Sequence, residues 1–95
     1  VLGRPGEKKI IANAYCRESG IALEAETDCC GVQFYAGNFI GEQTGKGGAA
    51  YHDRSAFCLE SQFYPNAVNE PDFPSPVVKA GHTYHTETSY RFYLR

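Results

Sequence analysis

The chain has 95 residues, room for one domain at most, and its nine basic side chains nearly balance eleven acidic ones. No basic patch stands out, so the electrostatic footprint of a nucleic-acid-binding protein is missing. No apolar run approaches the roughly 20 residues that a membrane-spanning helix needs. We therefore expect neither a nucleic-acid partner nor a membrane.

The four cysteines indicate the redox compartment. Cys29 and Cys30 are adjacent, and because neighbouring side chains point apart in extended backbone, a simple disulfide framework is disfavoured. Cys16 and Cys58 lie in apolar, strand-like runs and are expected to be ordinary buried thiols. With no Asn-x-Ser/Thr sequence and no visible signal peptide, a cytoplasmic location fits best.

In chain order, the predicted elements are all strands, and helical periodicity is hard to find. Aromatic and β-branched residues, often alternating with polar ones, favour pleated sheet. Five segments have this character: 8–15, 21–27, 32–35, 57–63 and 84–94, the last with the clearest alternation.

Two irregular stretches separate the predicted strands. Residues 41–50 contain four glycines and are expected to form a mobile loop. Residues 65–76 contain four prolines, which exclude a central strand and predict an ordered segment covering the surface. The residues alone therefore predict one all-β domain over residues 1–95.

Two patterns that suggest cofactor chemistry fail on spacing. Gly45-Lys46 lacks the earlier glycine of a phosphate-binding P-loop, since Ile40 occupies that position. His82 and His85 are separated by an odd number of residues, which on a strand places them on opposite faces, a poor geometry for one metal ion. We expect no metal site.

The most informative segment is 57–69, an apolar run that contains a single carboxylate before its closing turn, Glu60. A period of two places Cys58, Glu60 and Gln62 on one face of a strand. A carboxylate that faces inward costs free energy unless a partner or a reaction uses it. A salt-bridged or solvated glutamate is the simpler interpretation. The chain also has abundant tyrosines, whose rings can pack against the C–H surface of a sugar, so a sugar site is a second interpretation.

Several motifs in order resemble one family. They are Gly31-Val32-Gln33-Phe34-Tyr35-Ala36-Gly37-Asn38-Phe39, then Phe57-Cys58-Leu59-Glu60-Ser61-Gln62, and residues 65–75 with Tyr90-Arg91-Phe92 near the end. Together they are similar to the C-terminal part of the aldose 1-epimerase (galactose mutarotase) family. The resemblance covers essentially all 95 residues.

This resemblance implies an antiparallel β-sandwich of the galactose mutarotase-like supersandwich type, of which residues 1–95 form a C-terminal piece. It implies an isomerase that interconverts the α and β anomers of aldohexoses such as galactose and glucose, without a cofactor. In that family a glutamate acts as general base on the anomeric hydroxyl, and here it is Glu60. A glutamine contacts the sugar, and here it is Gln33.

The family's proton-donating histidine and other sugar contacts lie upstream of the matched region. The resemblance therefore implies that the upstream part of the same enzyme is a partner and that the chain is not active alone. An alternative is a non-catalytic carbohydrate-binding or structural β-module. Strand edges left unpaired would promote self-association. The sequence departs from the family's usual residues at Cys30, Ala36, Ala56 and Ser61, of which Cys30 alters the turn before Gln33.

Overall fold

Seven β-strands and two single-turn 3₁₀ helices make up the regular structure of residues 1–95, all of which the computed structural model describes. The strands are all antiparallel, so the predicted all-β class is confirmed and the arrangement is consistent with a sandwich-like piece. The strands are β1 (Lys9–Tyr15), β2 (Ile21–Thr27), β3 (Gly31–Tyr35), β4 (Gln43–Thr44), β5 (Ala50–Tyr51), β6 (Cys58–Gln62) and β7 (Thr88–Leu94); the 3₁₀ helices are Lys46–Gly48 and Ala67–Asn69.

The larger sheet has the order β1-β2-β7. Its central strand β2 has neighbours on both sides, and for that reason it supplies the best-buried residues, Ala22, Ala25 and Thr27. The turn from β1 to β2 is made by Gly20, whose φ of 70° lies in the left-handed region that glycine adopts without strain. A bulge between Ile10 and Ala12 shifts the register of β1.

The second sheet is the antiparallel pair of β3 and β6, whose five residue pairs run from Gly31–Gln62 to Tyr35–Cys58 without a bulge. A hydrogen bond joins it to the larger sheet: the Tyr90 hydroxyl of β7 donates to the carbonyl oxygen of Leu59 in β6 at 3.0 Å. The chain passes from β2 to β3 through a buried segment that includes Cys29 and Cys30.

The predicted strand at 84–94 begins only at Thr88, because Asp28 holds the residues before it. One carboxylate oxygen of Asp28 accepts hydrogen bonds from the Thr86 hydroxyl at 2.6 Å and from the Glu87 amide at 3.0 Å. Beside it, the hydroxyls of Thr27 and Thr88 are 2.9 Å apart. These side-chain bonds take the place of the ladder that alternation predicted for 84–87.

Two further expectations need correction. Segment 41–50 contains the small β4–β5 hairpin closed by Lys46–Gly48, so it is a structured connection. Cys16 and Cys58 are exposed, whereas Cys29 and Cys30 are buried; all four thiols are free. Cys16 lies in the turn after β1, and Cys58 opens a strand that has only one neighbour, which is why burial fails at both positions.

The outer strands of both sheets each have an unpaired edge. One face of the larger sheet also leaves large apolar side chains in solvent, including Tyr90, Phe92 and Leu94 of β7 with Leu94 81% exposed. Exposed apolar surface of this kind marks a packing or association surface. Neither helix has the length and apolar character that crossing a bilayer would require.

The junction at Asp28 predicts a specific acid sensitivity. Its pKa is lowered, chiefly because the Thr86 hydroxyl donates to the carboxylate and secondarily because the Glu87 amide does. A folded-state pKa below the unfolded value contributes stability that is present above the unfolded pKa and lost as the pH falls through the folded pKa. We expect Asp28→Asn to lower the free energy of unfolding at neutral pH and to flatten its decline below about pH 4.

Urea unfolding at neutral and acidic pH would measure this effect. Asp72→Asn is the matched control, because that exposed carboxylate makes no hydrogen bond. An acid-induced loss of stability that is as steep in Asp28→Asn as in the parent would contradict the role of Asp28.

Candidate active site

The structure places the two predicted site residues directly opposite each other. Gln33 in β3 pairs with Glu60 in β6. In an antiparallel pair, directly opposed residues project to the same face with their Cβ atoms about 4.5–5.5 Å apart. A single polar face of this sheet therefore presents a carboxylate beside an amide, although 26 positions of sequence lie between them.

Both side chains are available to bind a ligand. Glu60 is exposed and makes no hydrogen bond or ion pair within the chain. Gln33 is exposed too, and its amide nitrogen makes only a long hydrogen bond of 3.4 Å to the carbonyl oxygen of Phe34. Glu60 is the central residue of β6, and no hydrogen bond joins its side chain to that of Gln62.

The opposite face of the same two strands carries mainly apolar side chains. Phe34 pairs with Leu59 across the strands, and the Phe34 ring contacts Phe57 at a centroid distance of 6.1 Å. The hydroxyl of Ser61 on this face is buried without a hydrogen-bond partner. Strand alternation separates the two faces, but the apolar one is only partly covered, with Phe34 60% and Phe57 45% exposed.

Cys30, where the family usually has another residue, packs without disturbing this register. Its side chain is among the best buried, with the residue 1% exposed. The thiol contacts the carbonyl oxygen of Gln62 at 3.8 Å, at the end of β6 that faces the start of β3. Gln33 remains aligned with Glu60 two residues further along the pair.

A cleft of about 300 Å³ opens beside Gln33. The Tyr64 ring stands over Gly31, since a Cβ added to that glycine would lie 3.1 Å from the ring. Sequence reasoning did not select Tyr64. The sequence does contain a pattern that points to it. The period of two that places Cys58, Glu60 and Gln62 on one face continues to Tyr64, just past the end of β6. The cleft is lined by Val1, Gly31, Val32, Gln33, Gln62, Phe63, Tyr64, Pro65 and Phe73.

No histidine accompanies the Gln33–Glu60 pair with a hydrogen bond. His52 is paired with Glu42, with 2.7 Å between Nδ1 and the carboxylate oxygen. His85 lines a small cavity beside Asp28. The structure has no cluster of three or more histidine, cysteine or acidic side chains that could hold a metal ion. The arrangement therefore offers a carboxylate and two amide side chains, and no histidine hydrogen-bonded to them.

Comparisons with known proteins identify the family of the chain. The family model described as aldose 1-epimerase matches residues 3–91. The chain is 46% identical over 92 residues to galactose mutarotase of Sus scrofa, an alignment covering 96% of the chain and 27% of that protein. It is 45% identical over 87 residues to galactose mutarotase of Homo sapiens, covering 90% and 25%.

A bacterial relative extends the match: the chain is 33% identical over 87 residues to aldose 1-epimerase of Escherichia coli strain K12, covering 90% of the chain and 25% of that protein. The chain belongs to the aldose 1-epimerase family. It spans about a quarter of the length of the curated relatives that it matches.

Proposed function

We propose that this chain supplies the general base and one sugar contact of an enzyme that interconverts the α and β anomers of aldohexoses such as galactose and glucose. The observation that supports it best is the direct pairing of Gln33 with Glu60 on one exposed face. Membership in the aldose 1-epimerase family supports the reaction class.

In the proposed reaction, the carboxylate of Glu60 removes the proton from the anomeric hydroxyl while an acid protonates the ring oxygen. The bond between the anomeric carbon and the ring oxygen breaks, and the sugar opens to its aldehyde. Rotation of the carbonyl group and closure on its other face reverse both proton transfers. Only protons and one C–O bond are exchanged, so the reaction needs no cofactor.

Glu60 is suited to the role of base because nothing in the chain occupies its oxygens. A general base must reach the proton that it removes, within hydrogen-bond distance of the substrate. Gln33 lies beside it and offers both a donor and an acceptor to a sugar hydroxyl. Together they would fix the anomeric carbon next to the carboxylate.

The acid must come from residues outside these 95, and we propose the upstream part of the same enzyme as its source. His52 is paired with Glu42, and His85 lines a cavity whose lining does not include Glu60, which supports this division. The relatives, about four times as long as the matched segment, support it too.

Four free cysteines favour a reducing compartment such as the cytoplasm.

A non-catalytic carbohydrate-binding or structural β-module is the second candidate. The specific observation in its favour is that Glu60 has no acid facing it within the chain. Such a module would bind hexose, or only brace a larger assembly, without changing the rate of anomer exchange.

The first test separates these functions by polarimetry of freshly dissolved α-D-galactose. We expect the 95 residues alone to leave the spontaneous rate unchanged, because one proton-transfer partner is missing. A chimera of pig galactose mutarotase, in which this chain replaces the segment it matches, should accelerate the exchange. The pig protein without that segment is the control, and light scattering reports whether the isolated chain self-associates. Acceleration by the isolated chain would contradict the division of acid and base.

Glu60→Gln tests the base in the chimera. The amide keeps the size of the side chain and loses its basicity, so we expect kcat to fall by about 10²–10⁴-fold with sugar affinity largely kept. Glu7→Gln, at an exposed carboxylate without a side-chain contact, should behave as the parent. Full turnover in Glu60→Gln would remove Glu60 from the mechanism.

Gln33→Ala tests the sugar contact in the same chimera. Loss of one or two neutral hydrogen bonds predicts a rise in KM of about three- to tenfold, with a smaller change in kcat. Gln43→Ala is the matched control, since the Gln43 amide likewise makes only a 3.4 Å hydrogen bond to a nearby carbonyl. An unchanged KM in Gln33→Ala would argue against direct contact with the sugar.

A further inference from the structure

We propose that Tyr64 and Gln62 extend the sugar site: the Tyr64 ring forms the wall on which the apolar C–H surface of the hexose packs, and the Gln62 amide binds a hydroxyl distant from the anomeric carbon. This inference rests on the proposed function and adds to it two determinants of substrate binding.

Strand geometry places these side chains on the face of the base. Gln62 is two residues after Glu60 and opposes Gly31, which is two residues before Gln33. Alternation therefore puts the Gln33–Glu60 and Gly31–Gln62 pairs on one face. A Cβ on Gly31 would project from that same face, and it would meet the Gln62 carbonyl oxygen at 3.1 Å and two atoms of the Tyr64 ring at 3.1 and 3.2 Å. The ring thus lies on the face of Glu60.

The glycine at position 31 is what lets the ring lie so close to the sheet. A methyl group at 3.1 Å from the Tyr64 ring and from the Gln62 carbonyl oxygen would be tighter than ordinary van der Waals contact, so the ring or the β6 backbone would have to shift by a few tenths of an ångström. The ring also contacts Phe73, in an edge-to-face arrangement with 5.1 Å between centroids and an interplanar angle of 82°. Phe73 belongs to the proline-rich segment, which gives that segment a role in bracing the wall.

The adjoining cleft has the composition of a sugar site. Gln33 and Gln62 both line it, and the Gln62 side-chain amide makes no hydrogen bond within the chain. Tyr64, Phe73 and Pro65 supply the apolar surface. A volume of about 300 Å³ lies at the lower end of the range for small-molecule sites. Two amides that read hydroxyls, next to an aromatic face, match the alternation of polar and C–H surface on a pyranose.

The spacing suits a single hexose. Residues two apart on one strand are separated by about 6.6–6.8 Å, comparable to the span of a pyranose from its anomeric hydroxyl to the hydroxyl across the ring. With the anomeric hydroxyl at Glu60, the far end of the sugar reaches Gln62 and its C–H surface meets Tyr64. The inferred ligand is therefore an unsubstituted aldohexose lying along β6.

Tyr64→Leu in the chimera tests the wall. Loss of the aromatic face predicts a rise in the KM for galactose of about three- to tenfold, with kcat within about twofold of the parent. Tyr64→Phe keeps the ring and should therefore raise KM less than Tyr64→Leu does. Damage to the fold would lower kcat as well, so the split between KM and kcat distinguishes packing against substrate from a structural role.

Gly31→Ala provides an independent route to the same defect. If a methyl group acts by displacing the ring, Gly31→Ala should raise KM as Tyr64→Leu does. The double variant should then be no worse than Tyr64→Leu alone, because the ring is already gone. Gln62→Leu should raise KM by a further factor of about three to ten, and it decides the proposal if Tyr64→Leu does not fold.

Direct titration of the Glu60→Gln chimera with galactose separates this inference from the proposed function. If Glu60→Gln abolishes turnover while Tyr64→Leu and Gln62→Leu leave KM and the titrated affinity unchanged, the extended site is overturned and the base assignment stands. If Glu60→Gln keeps full turnover, the proposed function fails, and weaker galactose binding by Tyr64→Leu would still support the wall.

Discussion

The candidate site depends on the register between β3 and β6. A slip of one residue would turn every side chain of one strand to the other face, exchanging Glu60 for its apolar neighbours. The paired strands specify the register from both sides, because Phe34 and Leu59 form an apolar pair on the face opposite Gln33 and Glu60. The fit of the Tyr64 ring over Gly31 adds a steric condition at the end of the pair. These contacts keep an amide beside a carboxylate that has no other partner.

The larger sheet positions this pair through two kinds of contact. Where β2 ends, Asp28 ties the chain to Thr86 and Glu87, which fixes the start of β7 against the end of β2. Further along β7, the Tyr90 hydroxyl reaches across to the backbone of β6. Because that bond is made to a main-chain carbonyl, it leaves the side chains of β6 free to face the ligand. The larger sheet therefore holds the backbone of β6 without a hydrogen bond to the side chain of Glu60.

Alternation predicted part of this arrangement and missed what depends on distant contacts. It assigned Glu60 and Gln62 to one face, but the pairing of Glu60 with Gln33 is non-local, and only the resemblance joined the two residues in one site before the structure aligned them. Residues 84–87 alternate like a strand, yet Asp28, which lies far away in sequence, accepts hydrogen bonds from Thr86 and Glu87 at their end. The predicted burial of Cys16 and Cys58 failed for a related reason: alternation cannot show whether a strand has a neighbour on each side. Tyr64 continues the period of the preceding strand, but its place over Gly31 follows only from the pairing.

The exposed polar face of β3 and β6 needs an explanation, because Glu60 has no partner there. Buried or paired carboxylates stabilise folds, whereas an exposed, unpaired one on a central strand position contributes little to stability. Glu60 therefore has its explanation in a ligand or in a partner surface. The aromatic cleft lined by Gln33 and Gln62 favours the ligand, because a Tyr64 ring already in contact with Phe73 reduces the ordering that sugar binding requires. An acid delivered by a second segment would complete the site only where both segments enclose the sugar. The base, the sugar contact and the aromatic wall would then all lie on one short pair of strands. Sugar binding would be the contribution that this part of the enzyme makes by itself, and proton donation would depend on its partner segment.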